Sequence, residues 1–150
     1  MKIAVIDGQG GGIGRLITEQ VRKASPDIEI IALGTNAIAT SLMLKVGANE
    51  GASGENAVVQ NVKEVDLILG PLGIILAHSM RGELTPGMAE AIANSRATKM
   101  LLPLTLSEVE IIGVYVEPLP HLVEKLVAKV MDKMNGGVTN VRSACLSAQR

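Results

Sequence analysis

A chain of 150 residues with a formal net charge of −1 and a pI near 6.1 is long enough for one domain with a sizeable core, and its charge balance excludes the basic surplus that nucleic acid or an anionic membrane surface requires. One cysteine, Cys145, excludes an internal disulfide and a cysteine-rich metal site. Apolar residues make up 47% of the chain without any Phe or Trp, so the core is aliphatic, and a base or flavin ring can stack on aromatic carbon only at Tyr115.

Charged residues are only 19%, which leaves apolar surface to be covered and points to a homo-oligomer. The longest apolar run, 67–77, falls short of the roughly 20 residues of a membrane helix and is interrupted by Gly70, Pro71 and Gly73. Met1 and Lys2 lead directly into an aliphatic run, so no signal or transit peptide is expected and the expected location is cytoplasmic.

In chain order, 2–7 reads as a buried strand and 8–12 as a glycine-dense turn. The spacing of Ile13, Leu16, Ile17, Val21 and Ala24 predicts a helix over 12–24 with one buried face. A second strand covers 28–33, aliphatic enough to be covered on both faces. Thr35 or Asn36 caps a helix running to about Val46, and Gly47 stops it. The small, polar, glycine-rich stretch 48–56 reads as a loop with room for one short strand, followed by a short helix over 58–62 and a strand over 65–69. For 74–80 a helix is preferred, starting at the Gly70–Gly73 turn. Thr85 and Pro86 open a helix to about Ser95. Strands are expected at 99–104 and 109–116. Leu119, Leu122, Val123, Leu126, Val127, Val130, Met131 and Met134 form one stripe on the last helix, which ends at Gly136-Gly137. The domain is placed at 1–135, and 136–150 is read as a tail or an arm to a neighbouring subunit. Strands that alternate with helices throughout give an α/β fold: a doubly wound, mainly parallel sheet of about five strands with helices on both faces.

Gly8-x-x-x-Gly12-Ile13-Gly14 is similar to the glycine motif of short-chain dehydrogenases, but that family's Tyr-x-x-x-Lys pair is absent, because Leu119 stands four residues after Tyr115. More of the chain, about 1–130, resembles an uncharacterised family of small bacterial proteins known only as a domain of unknown function. The stretches VIDGQGGGIG, ALGTNAIAT, GASGENA, GPLGI, GELTP and MAEAI carry this resemblance. It implies a Rossmann-like fold with no assigned activity and brings no catalytic residues with it.

In such a sheet ligands bind beyond the carboxyl ends of the strands. The loops expected there are 7–14, 34–36, 70–73 and 103–105. The candidate binding residues are Asp7, Gly8, Gly10, Gly11, Gly12, Ile13, Gly14, Gly34, Thr35, Asn36, Gly70, Pro71 and Gly73. The glycines suit a phosphate cradle at a helix N-terminus; the competing reading is a tight turn with close helix–sheet packing. Asp7 would repel a pyrophosphate, so a structural role for it is preferred. A standard NAD site wants an acid at the end of the second strand, and here Gly34, Thr35 and Asn36 stand instead, with Asn36 read first as a helix cap. The polar loop with Asn49, Glu50, Ser53, Glu55 and Asn56 reads either as a lid or as an ordinary solvated loop. His78-Ser79 with Glu83 makes a poor nucleophile set, since adjacent helical residues do not face each other. His121 is expected to be exposed, Cys145 to lie without a partner in the tail, and no His, Asp or Glu spacing suits a metal.

The expectation is a module that binds a nucleotide or another phosphorylated small ligand at the glycine loop. The cofactor is unidentified, with a dinucleotide such as NAD or NADP among the candidates. An oxidoreductase-like enzyme of unknown reaction and a protein–protein interaction module with a degenerate site are the alternatives.

Overall fold

The computed structural model describes residues 1–104 and 108–136. Five parallel strands form one sheet: β1 Lys2–Asp7, β2 Glu29–Gly34, β3 Glu50–Ser53, β4 Leu67–Pro71 and β5 Thr98–Leu102. Their order is β3-β2-β1-β4-β5, the Rossmann-like doubly wound arrangement, whose direction reverses between β1 and β4. The helices are α1 Gly12–Ala24, α2 Ala37–Lys45, α3 Glu55–Asn61, α4 Pro86–Asn94 and α5 Leu119–Met134.

The central strands are aliphatic because both of their faces are covered. One core places Ile3, Val5, Ile30, Leu67 and Leu69 against Ile17 and Val21 of α1, Met43 of α2 and Leu122, Leu126 and Val130 of α5. The other places Ala4, Ile6, Ile31, Leu33 and Ile68 against Val58 of α3 and Met88 and Ile92 of α4. The period-2 alternation of a strand thus feeds two helical layers. Asn36 caps α2 by accepting the Ala39 N–H at 2.9 Å, and Thr85 caps α4 by accepting that of Met88 at 3.1 Å.

Two expectations fail, at 109–116 and at 74–80, while the room left for one short strand in 48–56 is taken by β3. The region 109–116 is not a strand: Gly113 sits at φ 87° and the Val114 N–H turns back to the Ile111 carbonyl, so its apolar side chains are left at the surface. The fifth strand is β3, inside the stretch expected as a loop or lid. It is recognisable only by pairing, since its four residues EGAS carry no apolar pattern, and α2 lies so close that a Cβ on Gly51 would come within 2.7 Å of Thr40. Residues 74–80 do not form an α-helix. A short 3₁₀ turn at Leu72–Ile75 gives way to extended backbone at Leu76 and left-handed backbone at His78 and Met80, which no right-handed helix accommodates. The tail expected over 136–150 lies outside the described residues beyond Gly136. Among the described residues no helix is long and apolar enough to cross a membrane.

Helix α5 joins the sheet only through its apolar stripe. Leu126→Ala is expected to lower the unfolding free energy by about 2–5 kcal/mol, read as a reduced midpoint in urea with an unchanged slope.

Candidate functional site

At the carboxyl end of β1 the chain buries a carboxylate. Asp7 is 4% exposed. Its Oδ1 accepts the Gly8 N–H at 2.8 Å and its Oδ2 accepts the Gly14 N–H at 2.6 Å. One side chain therefore ties the end of the strand to the first turn of α1. Gly14 is glycine for lack of room, since a Cβ there would lie 2.7 Å from the Asp7 Cβ and 2.8 Å from the Met43 Sδ. Gly11 is glycine for two reasons: its φ is 73°, and the Ala39 Cα would stand 2.7 Å from an added Cβ. Burial pushes the Asp7 carboxyl up from its ordinary range, the Gly14 and Gly8 N–H bonds pull it down, and the Glu83 charge adds to the upward push. The net shift is upward.

Glu83 comes from the connection between β4 and α4. Its Oε1 accepts from the Gln9 N–H at 2.9 Å, the Thr35 hydroxyl at 2.7 Å and the Asn36 amide at 2.6 Å. The Asn36 amide also donates to the Gln9 carbonyl at 2.9 Å. Residues 78–83 thus form a strap fastened across the ends of β1 and β2. The strap is strained: His78, Met80 and Arg81 hold φ of 69°, 56° and 57°. Such residues cost on the order of 1–3 kcal/mol each and persist only where their surroundings fix them. Buried Leu84 and the Glu83 bonds supply that restraint. Burial raises the Glu83 carboxyl, but the three hydrogen bonds to its charged form outweigh it and the net shift is downward.

Beneath the strap lies a cavity of about 580 Å³, within the roughly 300–1,000 Å³ range of small-molecule sites. Asp7, Gly8, Gly10, Gly11, Gly12, Ile13, Pro71 and Gly73, all named from the sequence, line it. Gly14, Gly34, Thr35, Asn36 and Gly70 do not. Gly34 is filled over by Thr40 and the Asn36 carbonyl, Gly70 faces the Ile6 carbonyl inside the sheet, and Thr35 and Asn36 are bonded to Glu83. Sequence reasoning missed Gln9, Ser79, Met80, Leu104 and Leu119. Leu104 falls within a loop already assigned to this end of the sheet, whereas Ser79 and Met80 were hidden by the helix expected over 74–80. Ser79 is buried with its hydroxyl donating to the Gly73 carbonyl, and His78 is exposed, so the two are not a nucleophile–base pair. His121 is exposed, as expected. Asn49 lies at the opposite end of the sheet, where its Oδ1 accepts from the Ile30 N–H at 2.8 Å and from Arg22 at 2.7 Å.

The loop leaves donors uncommitted. Among the described residues the N–H groups of Gly8, Gln9, Gly11 and Gly14 are bonded within the protein, whereas those of Gly10, Gly12 and Ile13 are not. Gly10 and Gly12 also face open space, since an added Cβ meets nothing within 4 Å and neither has a left-handed φ. Among the described residues no group of three His, Cys, Asp or Glu is placed to hold a metal ion.

The two kinds of glycine separate by mutation. Gly14→Ala is expected to cost about 1–3 kcal/mol by overpacking, whereas Gly12→Ala stays within about 0.5 kcal/mol of the parent or gains; chemical denaturation measures both. The Glu83 shift sets a pH dependence. Its stabilisation is fully present above the ordinary carboxylate range and is lost as pH falls through the lowered folded value. Glu83→Gln should therefore flatten the acid limb of the stability–pH curve. An acid limb as steep as the parent's would contradict the hydrogen bonds as the cause.

A family model described as "Domain of unknown function (DUF3842)" matches residues 2–135. No curated protein matches the chain. Among solved structures, a dodecameric FMN-dependent Ubix-like decarboxylase from Escherichia coli O157:H7 is similar over 90% of this chain and 94% of that one, with 13% identity and a TM-score of 0.44. The FMN and the decarboxylation are properties of that enzyme.

Proposed function

We propose that this chain, which belongs to the DUF3842 family of unknown function, is a small-ligand binding module that takes a nucleotide or another phosphorylated compound at the glycine loop after β1. The observation that carries this reading is the pair Gly10 and Gly12. Every other described glycine has a left-handed φ or a neighbour within 4 Å that an added Cβ would meet. These two have neither, and Gly12 opens α1 with a residue about 1 kcal/mol poorer than alanine in a helix. Packing does not require glycine there; the close approach of a ligand does. The free N–H groups of Gly10, Gly12 and Ile13, at the positive end of the α1 dipole, support an anionic ligand end.

Asp7 does not stand against this. Both of its oxygens accept hydrogen bonds from N–H groups of the loop, so the carboxylate is engaged within the protein.

Native mass spectrometry of freshly purified protein, followed by a thermal-shift panel of mononucleotides, dinucleotides, coenzyme A and flavins, tests the reading. A bound mass, or a ligand at 100 times its Kd that stabilises by roughly 2.7 kcal/mol, is expected, with the shift lost in Gly10→Val and Gly12→Val while both variants stay folded. No bound mass and no shift across the panel would overturn it.

Self-association is proposed as well. Ile112, Tyr115 and Val116 are 93%, 84% and 104% exposed on the 109–116 segment, and a second copy of the chain is the occupant proposed for that surface. Light scattering after size exclusion is expected to give an oligomer, shifted toward monomer in Ile112→Asp. A parent chain that is monomeric at micromolar concentration would refute it.

A further inference from the structure

A dinucleotide needs two places on a Rossmann-like sheet. The pyrophosphate crosses the glycine loop, and the adenosine ribose lies beyond the end of the second strand, held there by polar groups. In this chain the polar groups at the end of β2 are already engaged. The Thr35 hydroxyl and the Asn36 amide both donate to Glu83 Oε1, which also receives the Gln9 N–H. Met80 reaches over Gly8, so close that a Cβ on Gly8 would stand 2.6 Å from its Sδ. The strap therefore lies where a ribose would enter.

The open cavity lies on the other side. It is lined from the β1 loop, the end of β4, the strap, Leu104 after β5 and Leu119 at the start of α5, and by nothing from 34–36 or from α2. One end offers the free N–H groups of Gly10, Gly12 and Ile13. The rest is largely apolar, with Pro71, Met80, Leu104 and Leu119. A site of this shape suits one phosphorylated end joined to one apolar or flat body.

Resting on the phosphate reading of the glycine loop, we infer that the 78–83 strap is a specificity element: through Glu83 and Met80 it occupies the β2 side of the site and restricts the ligand to a phosphomonoester of mononucleotide size, excluding dinucleotides. The ligand class follows from the half of the site that is left open. Glu83 acts here as the protein's own competitor for the groups that would hold a second nucleoside. A dinucleotide can enter only in the fraction of molecules whose strap has opened, so its apparent affinity falls by that fraction.

Calorimetric titration of the full-length chain with AMP, FMN, NAD and NADP tests this. For the parent chain the expected result is binding of AMP or FMN, with the dinucleotides weaker by about tenfold or more. Glu83→Ala is expected to strengthen NAD binding by about tenfold while leaving the mononucleotide within about threefold, and Met80→Ala, which also alters the cavity wall, is expected to raise the ratio of NAD to mononucleotide affinity by about tenfold. Circular dichroism confirms that each variant is folded, and the comparison on the parent chain needs no variant at all. If the parent binds NAD or NADP as tightly as its best mononucleotide, and Gly12→Val abolishes both, the strap inference is wrong and the glycine-loop reading survives. If none of the four probes binds, this inference is wrong; if Gly12→Val leaves binding unchanged, the glycine-loop reading falls and this inference falls with it.

Discussion

A buried carboxylate at the end of the first strand is the constraint on which the rest of the site depends. Isolated in an apolar interior, such a group would be costly. Asp7 is tolerated because two backbone N–H groups, Gly8 before the turn and Gly14 beyond it, point at its two oxygens. The same two bonds fix the path of the six residues from Gly8 to Ile13. The loop's shape is therefore set by the protein before any ligand arrives, which removes an ordering cost from binding. Gly14 can accept this arrangement only without a side chain, so the glycine and the aspartate explain each other.

Helix α1 is held at its other end by a cation. Arg22 donates to the carbonyls of Gly47, Pro26 and Ile28 at 3.0, 2.8 and 2.7 Å and to Asn49 at 2.7 Å. Its fork of donors gathers the end of α1, the entry to β2 and the turn before β3, an arrangement that a single ammonium group could not reproduce. The helix is thus pinned by an acid at its start and a base at its finish. Among the described residues no Lys or Arg lines the cavity, and the donors it offers an anion are backbone N–H groups.

The parts of the architecture governed by local pattern were legible in the sequence. The 12–24 helix was bounded correctly from its apolar spacing, and the aliphatic runs marked the central strands, whose faces are both buried. Eight of the thirteen candidate residues line the cavity because they belong to loops that topology alone sends to one end of the sheet. What escaped depends on contacts distant in sequence. β3 is a strand only because β2 offers it an edge, and EGAS has no pattern of its own. The 109–116 run has strand composition but finds no strand partner among the described residues, and Gly113 turns it back. The strap defeated the helical reading because its left-handed residues are stabilised by Glu83, whose partners lie on two other loops. Thr35 and Asn36 stand among the candidate binding residues, Asn36 first as a helix cap, and nothing in the local sequence reveals that an acid nearly fifty residues away accepts from both.

That distance has a consequence for how the molecule comes into being. Glu83 joins partners 74, 48 and 47 residues earlier in the chain. None of those bonds can form until β1 and β2 have paired and β4 has been laid beside β1, because only then do the three loops share one end of the sheet. The entropy of closing such long loops must be met by the sheet itself. The mouth of the cavity therefore closes only once the central strands are in place. A nascent chain that has emerged only as far as β2 already carries the whole glycine loop, but not yet the element that narrows what the loop can admit.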